Sequence, residues 1–128
     1  MGYASEAACL DCGREFRACC GGGSFFHLLR CDTCGEDKGL SFDEIGEPHL
    51  RYLKGLQGLY CLASEEHDRD VRGHHPGEPI SEEEYHRQVE AIAGACHCGG
   101  CFRFQAPLRC PDCRSANVRE GRTLELYD

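Results

Sequence analysis

The sequence has no long hydrophobic run. No segment approaches the roughly 20 apolar residues that cross a membrane. The start, "GYASEAACLDCG", has neither the basic region nor the apolar stretch of a signal peptide. These absences predict a cytoplasmic protein that does not contact membranes. In that reducing compartment, clustered cysteines indicate bound metal more often than disulfides.

Basic residues are also few. The formal charge is −8, and even the least acidic part, residues 96–128, carries five basic and four acidic side chains. Binding to duplex nucleic acid depends on clustered lysine and arginine, which displace counterions from the phosphates. Acidity therefore disfavours a nucleic-acid partner. The alternative is a local face on which the arginines of residues 96–128 contact phosphates and Phe102 or Phe104 stacks on bases.

Signatures of common enzymes are missing as well. The sequence contains no phosphate-binding loop, dinucleotide-binding fingerprint or nucleophile–base pair. Adjacent His74 and His75, with a nearby carboxylate, could supply the three ligands of a catalytic zinc. However, "GHHPG" is more typical of a solvated turn, and His27 and His49 are predicted to be packing residues. We therefore predict a protein that is not an enzyme.

Cysteine, by contrast, is abundant: there are 12 in 128 residues. This is far above ordinary usage and requires either disulfides or metal. Most of these cysteines lie in pairs near the two ends of the chain, in short turns that bring two sulfurs together. Tetrahedral Zn²⁺ takes four such sulfurs. We predict two zinc ions, one held by Cys9, Cys12, Cys31 and Cys34, the other by Cys96, Cys98, Cys110 and Cys113.

The choice of Cys96 and Cys98 depends on an internal similarity. "CGREFR" from residue 12 matches "CGGCFR" from residue 98, and "LRCDTC" from residue 29 matches "LRCPDC" from residue 108. This overlay predicts a duplicated motif. It places Cys101 opposite Glu15, which is not a plausible ligand in a four-cysteine site. Cys101 is the alternative ligand, because Cys98 and Cys101 have the more usual C-x-x-C spacing. His97 is a further substitute.

The turns "CLDCG", "CDTCG", "CHCGG" and "CPDCR" resemble the rubredoxin-like CPxCG knuckles of the zinc-ribbon superfamily. The resemblance covers roughly half of the chain and implies two zinc ribbons, each built from short strands that end in knuckles. "FRACC" and "SFFHLLR" would be strands around the turn at 21–23. The second copy departs from the pattern in its C-x-C spacing and in Arg114, which replaces a glycine. On ligand type alone, a rubredoxin-like iron electron carrier is an alternative.

The middle of the chain predicts helices. A helix begins near Pro48 in the apolar segment 45–62, an exposed acidic loop covers 63–79, and a second helix covers 81–95. The second helix starts with a capping box, in which the side chains of Ser81 and Glu84 satisfy backbone groups of the first turn. The C-terminal tail predicts a hairpin that turns at Gly121.

These features predict a small, metal-stabilised α+β protein. Residues 1–44 form an N-terminal zinc ribbon, 45–95 a helical and acidic connecting segment, and 96–128 a C-terminal zinc ribbon. Zinc ribbons occur in proteins of many functions, so the fold does not specify one. We expect a non-catalytic adaptor, regulatory or accessory protein that binds another macromolecule, with another protein as the expected partner.

Overall fold

The computed structural model describes residues 2–23, 25–56 and 65–127. Within these ranges the chain is a small α+β protein, as predicted. Its elements in chain order are β1 (Gly2–Cys9), β2 (Glu15–Cys20), β3 (Phe26–Cys31), β4 (Asp37–Ser41), α1 (Phe42–Ile45), α2 (Glu47–Gly55), α3 (Glu65–His74), α4 (Glu82–Ala93), β5 (Phe102–Arg103) and β6 (Val118–Tyr127). None of the described helices has the length and apolar character needed to cross a membrane.

The strands form two antiparallel three-stranded sheets, in the orders β2-β1-β6 and β4-β3-β5. Each sheet combines strands from the start of the chain with one from its end. The two ends are therefore interleaved. The predicted pairing of strands around the turn at 21–23 is wrong, because β2 and β3 belong to different sheets. β2 instead pairs with β1, a strand of small residues that sequence patterning did not reveal.

The predicted hairpin in the C-terminal tail is also wrong. β6 is one continuous strand that pairs with β1 from Cys9–Val118 to Gly2–Tyr127. Gly121 lies inside β6, where the register shifts between the pairs Ser5–Thr123 and Ala7–Glu120. Glycine in a strand often marks such a bulge, because the bulge places an extra residue out of the ladder.

The helical predictions are partly confirmed. α2 begins where Pro48 indicated, and the part of segment 45–62 beyond residue 56 lies outside the described residues. α4 begins at the predicted cap, with the Ser81 hydroxyl accepting a hydrogen bond from the Glu84 N–H at 3.2 Å. The predicted loop is wrong from residue 65 to residue 74, which form α3. Asp68 and Val71, three residues apart, are buried on one face of this polar helix, which packs against α2.

The main core lies between α4 and the β4-β3-β5 sheet. It contains Leu29, Leu40, Ile45, Tyr85, Val89, Ala93 and Phe102. The Tyr85 hydroxyl lies 2.8 Å from His27 Nε2 and 2.9 Å from His49 Nδ1. Burial, together with the nearby His86, lowers the pKa of His27 to about 4, and burial likewise lowers the pKa of His49 to about 4. Both rings are therefore neutral at pH 7 and serve the packing role predicted for them.

Candidate metal centres

The side chains of eight cysteines converge in two groups of four. The first cysteine group is Cys9, Cys12, Cys110 and Cys113, and the second cysteine group is Cys31, Cys34, Cys96 and Cys98. Sulfur–sulfur distances across the first group are 3.5 Å, and across the second they are 3.5 and 3.6 Å. With Zn–S bonds of ~2.3 Å, the edge of a tetrahedral site is about 3.8 Å. Both groups therefore have the donors and nearly the spacing to hold one ion each.

The eight sulfurs are the predicted ones, but the predicted grouping is wrong. Sequence reasoning placed the four N-terminal cysteines on one ion and the four C-terminal cysteines on the other. In the structure each group takes one turn from each end of the chain. β6 accounts for the composition of the first group, because Val118 pairs with Cys9 and brings the turn at 110–113 next to Cys9. β5 accounts for the composition of the second group, because Phe102 pairs with Cys31.

Backbone N–H groups donate hydrogen bonds to one sulfur in each group and lower its pKa. Cys31 Sγ accepts hydrogen bonds from the N–H of Thr33 at 3.4 Å and of Cys34 at 3.5 Å. Burial raises the pKa of Cys31, but these two hydrogen bonds outweigh it and lower the pKa to about 6. In Cys110 burial is likewise outweighed by the N–H groups of Cys113 and Asp112, and the pKa falls to about 7. The backbone N–H groups therefore stabilise one thiolate in each group even without metal.

Cys12 and Cys96, by contrast, need the cation itself to become thiolates at neutral pH. An N–H hydrogen bond at Arg14 lowers the pKa of Cys12, but contact with Cys110 and burial raise it to about 12 overall. An N–H hydrogen bond at Cys98 lowers the pKa of Cys96, yet burial and contact with Cys34 raise it to about 12. Four adjacent thiolates repel one another unless a positive ion lies between them. The donor set thus fits a thiolate-bound metal in both groups.

All four turns place a residue with positive φ directly after the second cysteine. Gly13, Gly35 and Gly99 follow the second cysteine of their turns with φ of 79°, 80° and 94°. Arg114 occupies the same place in the fourth turn with φ 64°. Its N–H donates to the Cys110 carbonyl at 3.0 Å, as the Gly13 N–H does to Cys9 at 2.9 Å. The left-handed conformation costs a non-glycine residue about 1 kcal/mol, so the departure at Arg114 leaves the turn intact.

Cys101 lies outside the second cysteine group. Its N–H donates to Asp32 Oδ1 at 3.0 Å, and its carbonyl accepts from the Asp32 N–H at 2.9 Å. It also forms a β-bridge with Ala95, which closes the turn that carries Cys96 and Cys98. Of the two pairings that the sequence left open, the structure brings Cys96 and Cys98 to the site.

Replacing Cys101 should therefore be nearly harmless. We expect Cys101→Ser to retain both metal ions and to lower the free energy of unfolding by about 1 kcal/mol, as an ordinary small substitution does. Cys96→Ser, its matched control, should leave three thiolates and lose one ion to a chelator. Zinc content measured for the two variants side by side checks this. A Cys101→Ser protein with one ion, beside a Cys96→Ser protein with two, would contradict the structure.

The adjacent histidines that the sequence offers as zinc ligands do not converge. His74 Nδ1 lies 3.0 Å from Asp70 Oδ1, whereas His75 Nδ1 accepts a hydrogen bond from the Gly77 N–H at 3.1 Å. The two rings thus have separate partners, and no potential metal group within the described ranges includes either. The remaining thiols, Cys19 and Cys20, also lie outside both cysteine groups, and Cys61 is outside the described residues.

Comparison with known proteins gives one match. No curated protein and no solved structure is significantly similar to the chain. A family model described as a domain of unknown function, DUF8255, matches residues 5–119. The matched range includes all eight cysteines of the two groups and ends within β6. The chain therefore belongs to the DUF8255 family.

Proposed function

We propose that the protein is a non-catalytic adaptor or accessory protein, in which two structural Zn²⁺ ions stabilise a surface that binds another protein. The observation that carries the proposal is the pair of closed four-cysteine groups. Four thiolates complete a tetrahedral coordination shell, whereas a catalytic zinc keeps one position for water or substrate. Ions held in these groups would stabilise the fold and would not activate a reactant.

The two cysteine groups lie where the N-terminal part of the chain contacts the C-terminal part. The first joins the end of β1 to the turn that precedes β6, and the second joins the end of β3 to the turn that precedes β5. Each ion would thus fix a C-terminal strand against an N-terminal one. Because β6 has its main contacts with β1, the ion of the first group supports the only long strand of the C-terminal part that the structure describes.

β6 is the best candidate for the binding surface. It is an edge of its sheet, and no described strand pairs with its outer side. Most of its ten residues are exposed, including Leu124 and Leu126, at 42% and 68% exposure. Natural edge strands are usually short or protected, since an open edge pairs readily with another extended chain. The proposed partner is therefore an extended segment of another protein that adds a strand beside β6.

A groove on the same sheet offers room for side chains of that segment. Its volume is about 560 Å³. Apolar Ala7, Phe16 and Leu124 contribute to its lining, together with charged Arg17 and Arg119. A lining that contains both apolar and charged side chains suits a peptide in which apolar and polar side chains alternate, as they do along a strand.

Several contacts make a nucleic-acid partner less suitable. Phe102 is buried, and the Phe104 ring stacks on His86 with centroids 4.1 Å apart. Stacking on bases would need exposed rings. Arg103 contacts Glu90 at 3.1 Å, and Arg122 contacts Glu6 at 3.3 Å. These ion pairs reduce the positive charge available to phosphates, which favours the protein partner.

A charge in place of Leu124 should prevent partner binding. We expect Leu124→Lys to lose, in pull-downs from the native host, a partner that the wild-type protein captures, because the change puts a charge into the apolar part of the groove lining and because lysine on an edge strand opposes the addition of another strand. Ile92→Lys is the matched control, since Ile92 on α4 is 43% exposed, nearly the same as Leu124 at 42%. Both variants should keep two metal ions. Capture that survives Leu124→Lys, or that Ile92→Lys also abolishes, would argue against β6 as the surface.

A further inference from the structure

The second cysteine group has nitrogen and oxygen donors beside one of its sulfurs. Cys96 Sγ lies 3.4 Å from Glu36 Oε2 and 3.7 Å from His97 Nδ1. The Glu36 and His97 atoms are 2.9 Å apart. A tetrahedral Zn²⁺ with one sulfur, one nitrogen and one oxygen ligand has edges of about 3.3–3.6 Å, given bond lengths of 2.0–2.3 Å. The three atoms thus need shifts of only a few tenths of an ångström to share an ion.

The turns of the second cysteine group hold these donors in place. The Glu36 carbonyl accepts a hydrogen bond from the Cys31 N–H at 2.8 Å, so its backbone is part of the turn at Cys34. His97 lies between Cys96 and Cys98 in the C-x-C turn. Cys96 is buried, but the side chains of His97 and Glu36 are 76% and 49% exposed. An ion from solvent therefore meets the exposed donors of Glu36 and His97 before it reaches the buried sulfur of Cys96.

Within the described ranges, no second potential metal group adjoins the first cysteine group. The Arg14 carbonyl accepts from the Cys9 N–H at 2.8 Å, so Arg14 occupies in that turn the place that Glu36 occupies in the other. Its guanidinium contacts Asp112 at 3.2 Å and cannot bind a metal. Among the residues that the structure describes, Cys96 alone belongs both to a four-cysteine group and to a second potential metal group.

We propose that Glu36, His97 and Cys96 form an exposed exchange position for a divalent ion of the Zn²⁺ class, through which the second cysteine group takes up and releases its metal. The proposal rests on the proposed function, since it requires that group to hold a metal. An arriving ion binds the carboxylate, the imidazole and the shared thiolate, with one coordination place open. It then exchanges oxygen and nitrogen for the thiolates of Cys31, Cys34 and Cys98, which bind Zn²⁺ well as soft ligands.

Such a route speeds exchange because the ion is never without ligands. Release from a closed four-thiolate site requires several bonds to break before a new ligand can enter. With Glu36 and His97 alongside, two of the three departing thiolates are replaced by donors already in place, while Cys96 keeps its bond to the ion. The first cysteine group offers no such replacement and should exchange its ion more slowly.

Cadmium-113 NMR can follow both sites at once. The full-length protein is loaded with cadmium-113, and the two expected all-sulfur resonances are assigned through their couplings to cysteine β-protons. Excess unlabelled Cd²⁺ is then added, and the decay of each resonance gives an exchange rate. We expect the second group to exchange faster, and His97→Ala and Glu36→Gln each to slow it by about tenfold, a typical effect of residues around a metal site. The first-group rate should not change.

Arg14→Ala is the matched control, and it should alter neither rate. If both resonances appear but neither variant slows the second group, Glu36 and His97 form an exposed ion pair only, and the exchange position is overturned while metal binding stands. If His97→Ala or Glu36→Gln loses an ion, that residue is a permanent ligand and the proposal is wrong. If the wild-type protein gives no all-sulfur resonance, the proposed function fails, and the exchange position fails with it.

Discussion

Removing both metal ions with a chelator should unfold the protein. Structural zinc of this type contributes on the order of 10 kcal/mol of apparent binding energy, comparable to the whole stability of a small domain. The metal-free chain has little to replace it, because few of the described residues have large, fully buried side chains, among them Tyr85, Leu29, Leu53 and Val89. Without the ions, four thiols in each group would also have to stay packed together with only hydrogen bonds between them.

Elemental analysis and circular dichroism check this prediction together. Protein purified without added metal should be colourless and contain two zinc ions per chain, and EDTA should abolish its helical signal. Returning Zn²⁺ should restore the signal, which controls for irreversible damage such as oxidation of the thiols. A red protein would instead indicate iron and a rubredoxin-like carrier. One metal or none in a fully folded chain would contradict the two-ion prediction.

Pairs of cysteine substitutions should show that each ion joins the two ends of the chain. Cys12→Ser and Cys113→Ser remove ligands from the same group, so the double variant should lose one ion, as each single variant does. Cys12→Ser combined with Cys34→Ser damages both groups and should lose two ions and unfold. Native mass spectrometry of the variants after brief chelation counts the ions that remain.

The single variants are the controls for this experiment, and each should keep one ion. Their effects on the free energy of unfolding should be strongly non-additive for the pair in one group, since the second substitution removes a ligand from a site already lost. The opposite pattern, with one ion left in Cys12→Ser/Cys34→Ser and none in Cys12→Ser/Cys113→Ser, would support separate zinc ribbons at the two ends of the chain.

The sequence predicted the eight converging sulfurs because spacing within a turn is a local property. Two cysteines separated by one or two residues, with glycine after them, bring their sulfurs to one side of the backbone. Which turn faces which is not local. In all four turns the residue after the second cysteine has a left-handed backbone conformation, so any two turns could share an ion. The choice is made by β5 and β6, which deliver the C-terminal turns to the ends of β3 and β1.

Other differences between the sequence-based predictions and the structure arise where the composition of a segment is typical of a different local structure. Residues 65–74 are so polar that they resemble a loop. They nevertheless form α3, which buries Asp68 and Val71 and packs against α2. Gly121 resembled a turn because a bulge and a turn favour the same residue. The spacing of the cysteines does not indicate Glu36 as a donor. A carboxylate two residues after the Cys31–Cys34 turn, near a histidine inside the other turn, was the available signal.

The joining of the two chain ends has a consequence during protein synthesis. The second cysteine group cannot be completed until Cys98 leaves the ribosome, and the first must wait for Cys113. At roughly 5–20 residues per second, the thiols of Cys9 and Cys12 wait for something like 5–20 s. Between the emergence of Cys34 and that of Cys98, the nascent chain presents Cys9, Cys12, Cys31 and Cys34 together. A zinc ion captured by these four would form a non-native site, and would have to be given up before the native fold could form.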